Sequence, residues 1–193
     1  MIKSKQSTVY LDPYILPENP EKADLVLVTH DHQDHCDDKK VSLIRKSETI
    51  VVAPSSAAKK LTGATVIAEG DVKEFGGIKV TAVPAYNTGL VKFHTRGNAL
   101  GYVIEADGVK IYHAGDTDFI PEMKELAALN IDLALLPIGG MFTMNIENAV
   151  KAVDAIRPEY AFPMHYNTFA PIKADPILFK KLVEEKTKTK ILV

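Results

Sequence analysis

Short apolar runs recur along the chain, rich in Val and Ile and closed by Pro, Gly or Asp. Runs of this length and composition predict strands. Thr8–Leu11 is one, ended by Asp12-Pro13. Residues 24–29 are nearly all apolar, which predicts a strand buried on both faces. Residues 49–53, 64–68 and 78–83 predict three more, and 100–106 with 109–112 a hairpin around Asp107-Gly108. Residues 131–136, 160–162 and 190–192 complete the set. Three- and four-residue spacing marks helices instead. Ile146, Ala149, Val150, Val153 and Ile156 share one face of a helix over 145–157, with Asn145 as N-cap and Pro158 as its stop. Residues 121–129 open with Pro and Glu, a good first helical turn, and 175–186 predict a third helix. Weaker helical patterns cover 39–46 and 55–61. Strands first, then strands alternating with helices, predict a layered α/β sandwich with helices outside.

Composition narrows the class. The 193 residues suit one domain, spanning 1–193. Hydrophobic residues at 46% and charged residues at 25% are ordinary for a globular protein, and no apolar segment reaches membrane-spanning length. A net charge of −2 argues against broad electrostatic capture of nucleic acid. The single cysteine, Cys36, excludes an internal disulfide and fits a reducing compartment. No apolar run follows the first charges, so no signal peptide is read and a cytoplasmic location is expected.

The chemistry concentrates after the second predicted strand, in Thr29-His30-Asp31-His32-Gln33-Asp34-His35. Half of the six histidines lie here. Imidazole and carboxylate are ligands that zinc accepts, and such groups are costly to bury unpaired. His30 and His32, two apart, point to one side of an extended segment, while Asp34 and His35 follow in a turn and face a second ion. The cluster caps a buried strand, where α/β proteins place ligands. Asp116, in Gly115-Asp116-Thr117 at another strand end, is suited to bridge two cations. His165 ends Pro163-Met164-His165 just past a third strand. His113, on the strand before Asp116, reads as a buried supporting residue, and Cys36 as a small buried one.

The ordered set resembles the metallo-β-lactamase-fold hydrolase superfamily, and within it the small hydrolases that include the ascorbate-6-phosphate lactonase-like proteins. The resemblance rests on Leu11-Asp12-Pro13, the histidine motif, Pro84-Ala85-Tyr86, Gly115-Asp116-Thr117, Thr143-Met144 and Pro163-Met164-His165-Tyr166. It implies a four-layer αββα sandwich with metals at one edge between two sheets. It implies that His30 and His32 bind a first metal, that Asp34, His35 and His165 bind a second, and that Asp116 bridges. The superfamily places a third imidazole of the first site after the strand ending Val83-Pro84-Ala85-Tyr86, where this chain has Asn87. Three readings follow: Asn87 contacts the metal through its amide oxygen, His94 swings in from the next loop, or the first site is weak. His94 near the pocket is the favoured one, as ligand or proton donor.

The expected reaction is metal-assisted hydrolysis of an ester, lactone or phosphodiester in a small anionic substrate. Two divalent ions, most simply zinc, with manganese, iron or nickel also suited to these ligands, would hold the attacking water or hydroxide. Asp34 and Asp116 would orient it and take its proton, and His94 would assist the leaving group. Lys92 and Arg96, in the one basic cluster near the pocket motifs, are candidate contacts for the substrate's anionic group. The alternatives are a nucleic-acid phosphodiesterase and a non-catalytic metal sensor. The first predicted strand leaves a sheet edge that a second subunit would cover in a homo-oligomer.

Overall fold

The computed structural model describes residues 1–90 and 92–193. Two mixed sheets form its centre. The first contains β1 (Ile2–Lys3), β2 (Thr8–Leu11), β3 (Leu25–Leu27), β4 (Ile50–Ala53) and β5 (Thr65–Val66), in the order β1-β2-β3-β4-β5. Only the β1–β2 pair is antiparallel; the other neighbours run parallel. The second contains β6 (Val72–Phe75), β7 (Ile78–Pro84), β8 (Leu100–Ala106), β9 (Val109–His113), β10 (Leu133–Pro137), β11 (Tyr160–Met164) and β12 (Lys190–Ile191). Its order is β12-β11-β10-β9-β8-β7-β6, antiparallel from β6 to β9 and parallel from β9 to β12.

Period-two alternation sorts each strand's side chains into layers. Leu25, Leu27 and Val52 meet Val80, Leu100, Tyr102 and Ile104 between the two sheets. Val26, Val28, Val51 and Ala53 face the other way, against α1 (Asp38–Ile44) and α2 (Ser55–Ala58). Beyond the second sheet, Tyr112, Ala134, Leu136 and Ala161 pack on α3 (Ile146–Ile156) and α4 (Pro176–Lys186). Three apolar seams between four layers make the αββα sandwich. Each fully buried Val, Leu or Ile side chain contributes ~1.5–3 kcal/mol to holding those layers together.

Most elements follow the sequence pattern, including the Asn145 cap, whose side chain accepts from the Asn148 N–H. Residues 121–129 form 3₁₀ turns, not the expected α-helix. Ile120, Met123 and Leu126 are buried at three-residue intervals, a spacing that suits three residues per turn. The sequence reading also lacked β1 and β6. Ile2–Lys3 is too short to show a period, and Val72–Phe75 has two charged residues between its apolar ends, so no alternation marks it.

Two hydrogen bonds lock the sheets together where the histidine loop begins. Tyr102 donates its hydroxyl to the Val28 carbonyl at 2.7 Å, and the Leu100 N–H reaches the Thr29 carbonyl at 2.9 Å. The end of β3 is thereby fixed against β8.

Candidate metal centre

Four loops at strand ends converge: residues 29–36 after β3, 85–90 and 92–99 between β7 and β8, 114–118 after β9, and 165–169 after β11. They assemble three overlapping groups of ligand atoms: His30, His32 and His94; His30, His35 and Asp116; and Asp34, His35 and His165. Atoms within each group lie within 4.8 Å of one another. His94 Nε2 is 3.2 Å from His32 Nδ1. Asp116 Oδ2 is 3.7 Å from His94 Nε2, 3.6 Å from His35 Nε2 and 3.1 Å from His165 Nε2. Asp34 Oδ2 is 3.5 Å from His35 Nε2. Tetrahedral bonds of zinc length hold neighbouring ligand atoms ~3.4 Å apart, so these spacings fit metal ligation. His30 Nε2 and Asp116 Oδ1 are buried without any hydrogen-bond partner, which a protein seldom leaves uncompensated.

The supporting residues fix which nitrogen of each ring faces inward. Asp12 accepts from the Thr29 N–H and hydroxyl, both at 2.7 Å, and from His35 Nδ1 at 2.8 Å. The Thr29 hydroxyl, having given its proton to Asp12, accepts from His30 Nδ1 at 2.9 Å. The Nε2 atoms of His30 and His35 are thereby turned toward the cluster, as carboxylate–histidine pairs around metals require. Asn87 performs the same task on the opposite wall. Its Oδ1 accepts from the His94 backbone N–H at 2.8 Å and lies 3.1 Å from His94 Nδ1. Its amide nitrogen donates to Phe142 O at 2.9 Å and Asp118 Oδ1 at 3.2 Å. The loop thus brings His94 beside His30 and His32, and Asn87 orients it from behind.

The charge pattern follows from packing. Burial pushes His30 down to about 3 and His94 down to about 4, so both rings are neutral at pH 7. Burial opposes a charge on His35, but Asp12, Asp34 and Asp116 outweigh it and raise its pKa well above the ordinary value. His165 is raised in the same way, burial being overcome by Asp116. Burial disfavours ionisation of Asp116 too, yet the hydrogen bond from His165 and the charges of the histidines hold it far below the carboxylate range. Asp34 is held at about 2, chiefly by its hydrogen bond with His35.

Two glycines make the approach of the loops possible. A Cβ on Gly139 would land on the carbonyl oxygen of His165 and 2.9 Å from Ile172 Cβ. Gly115, at φ +63°, lets the chain turn into Asp116 with Leu100 O only 2.9 Å from where a Cβ would sit. His165 itself has φ +54°, a left-handed conformation of the kind found at functional sites.

Arg96 lies outside the three ligand groups. Its guanidinium bonds Glu69 at 2.6 Å and Glu122 at 2.7 Å and lies over the Tyr86 ring, so its charge is spent on two carboxylates. A substrate anion at Arg96, the contact expected from the sequence, would compete with these two carboxylates. Lys92 is exposed on the same loop. His113 is buried and accepts from the Gly115 N–H, bracing the turn before Asp116. Cys36 is buried against Ala57, with its thiol pushed up to about 11 by that burial. Sequence reasoning passed over Asp12 and Thr29. Asp12-Pro13 carried the signal but reads equally well as the stop of β2.

A sandwich of this architecture with a shared histidine–carboxylate cluster defines the class of metal-dependent hydrolases. The comparisons with known proteins agree. The family model of the beta-lactamase superfamily domain matches residues 1–165. A UPF0173 metal-dependent hydrolase of Thermococcus onnurineus is 44% identical, covering 95% of this chain and 88% of that protein. One from Pyrococcus furiosus is 41% identical over the same shares. Among solved structures, Igni18, a metallo hydrolase from Ignicoccus hospitalis, superposes with a TM-score of 0.79 at 34% identity, covering 96% of this chain and 86% of that one. A Parabacteroides distasonis protein gives 0.84 at 34% identity, covering 95% and 83%. The chain belongs to the beta-lactamase superfamily, among the UPF0173 metal-dependent hydrolases. Among the described residues, no helix is long and apolar enough to cross a membrane.

Proposed function

We propose that the cluster holds two divalent ions, zinc in the simplest case, and that the protein hydrolyses an ester, lactone or phosphodiester bond in a small molecule. One observation carries this reading: a single carboxylate oxygen, Asp116 Oδ2, lies within 3.7 Å of His94 on one side and 3.1 Å of His165 on the other. His30, His32 and His94 would hold one ion, Asp34, His35 and His165 the other, with Asp116 shared. Ions bound there would polarise a carbonyl or phosphoryl oxygen and bring the pKa of a water to about 7.

The chain's own groups set up the rest. Asp12 and Asn87 keep the rings of His35 and His94 aimed inward, so little reorganisation is left for the reaction itself. Asp34, whose side chain is 51% exposed, is the cluster's open-side carboxylate and orients an incoming water by accepting its hydrogen bond. Held at about 2, it is too acidic to store a proton at neutral pH and serves as an orienting group. A cavity of about 200 Å³, lined by His30, His32, Phe93, His94 and Asn98, opens on the first triad and admits a small substrate. The grouping of His94 with His30 and His32 supports it as the ligand in place of the imidazole that Asn87 replaces, which favours the enzyme over a non-catalytic sensor.

The test is a panel of aryl esters, lactones and phosphodiesters assayed with metal-loaded and chelator-treated protein. Turnover of at least one class that is lost on chelation and restored by zinc or manganese is expected. No metal-dependent turnover of any class, with metal bound, contradicts the proposal.

A further inference from the structure

Two loops that carry the metal cluster, and the neighbouring loop between β10 and α3, also carry aromatic rings, and these rings touch. Phe93 precedes His94 and lines the cavity with His30 and His32. Its ring meets Phe142 edge to face, with centroids 4.6 Å apart. Phe142 meets Phe169 at 6.1 Å, and Phe169 lies in the loop that follows His165. Phe142 is tied to the cluster, since its carbonyl accepts the Asn87 amide that orients His94. Phe93 and Phe169 are 41% and 46% exposed, and Met141 beside them is 64% exposed. A contiguous apolar strip next to a reaction centre marks a contact surface.

The charged neighbours fit the same picture. Arg96 is bonded to Glu69 and Glu122, and Lys60 at the far side bonds Asp31 at 2.8 Å. Neither of these cations lines the cavity, and the exposed Lys92 that precedes Phe93 does not line it either. We infer that the Phe93–Phe142–Phe169 strip seats an apolar group of the substrate, aryl or alkyl, beside the bond that is cleaved. The inference rests on the hydrolase reading of the metal centre. The strip narrows the substrate from a small ester in general to one with a hydrophobic acyl, alkyl or aryl part.

Phenylphosphonate and methylphosphonate test it without turnover, because both present the same anionic head to the metals and differ only in the apolar group. Calorimetric titration of the zinc-loaded protein is expected to show phenylphosphonate binding about tenfold or more tightly. Phe142→Ala and, separately, the more exposed Phe169→Ala are expected to shrink that ratio several-fold while bound zinc stays as in the parent. Equal binding of the two phosphonates, or a ratio untouched in both variants, overturns the strip proposal alone. Failure of both phosphonates to bind overturns the open metal centre beneath it. A concentration-dependent dimer that Phe169→Ala dissolves also overturns it, because the strip's occupant is then a second copy of the chain.

Discussion

His94 Nε2 stands 3.2 Å from His32 Nδ1, although 62 positions separate the two residues. The backbone does not bring them together by a shared element. Asn87 does, by accepting from both the backbone N–H and the ring of His94 while anchored to Asp118 and Phe142. His94→Ala is therefore expected to remove one ion at stoichiometric metal, and Asn87→Ala to weaken it about 10–100-fold. Asn87→His brings no gain, because the side chain there points at His94 and Asp118, not into the cluster. Metal titration with a competing chelator measures all three; tighter binding in Asn87→His would contradict the assignment.

Asp12 ties two ligands to one carboxylate, through the ring of His35 and the hydroxyl of Thr29. Its side chain is only 8% exposed. Asp12→Asn must turn an NH2 group toward one of three donors. A fall of about 10–100-fold in metal affinity is expected, with the far-UV circular dichroism of the folded protein retained. Unchanged affinity would show that the ring orientations do not depend on it.

Gly139→Ala tests the close approach behind His165. The added methyl meets the His165 carbonyl oxygen and Ile172. Overpacking of this kind costs ~1–3 kcal/mol. The variant is expected to melt several degrees lower and to hold its second ion more weakly. Parent-like melting with full metal content would place the loop elsewhere.

The dependence of stability on pH is expected to have opposite signs with and without metal. In the metal-free protein His35 and His165 are raised above the ordinary imidazole value of ~6.5. Their stabilising contribution is complete below that value and is lost as pH rises through the folded-state pKa. His30 and His94, depressed to about 3 and about 4, are neutral in the folded state throughout; the unfolded chain still binds part of their protons near pH 6.5, a smaller opposing contribution that vanishes about one pH unit higher. The metal-free protein should thus melt lower at pH 8 than at pH 6.5. Ions displace the two protons, so the loaded protein should gain stability over the same interval. Differential scanning calorimetry at the two pH values decides, and equal slopes for the two forms would contradict the charge assignment.

Much of this site was legible in the chain because strand periodicity and strand-end placement are local. Residues 24–29 announced a doubly buried strand, and the histidine run after it announced ligands. The seams between layers follow from the alternation of Leu25, Val26, Leu27 and Val28. What could not be read were relationships across the fold. Asp12 looks like a turn residue until Thr29 and His35 are seen to share it. Arg96 looks like an anion contact until Glu69 and Glu122, distant in sequence, are found bonded to it. The 3₁₀ turns over 121–129 depend on which residues the second sheet buries, a tertiary choice that Pro and Glu at the start do not encode.

The most direct measurement is anomalous diffraction at the metal absorption edge from crystals of the loaded protein. Two peaks are predicted, one in contact with His30, His32 and His94 and one with Asp34, His35 and His165, with Asp116 reaching both. A lone peak that Asp116 does not touch, or one coordinated by Asn87 in place of His94, would contradict it.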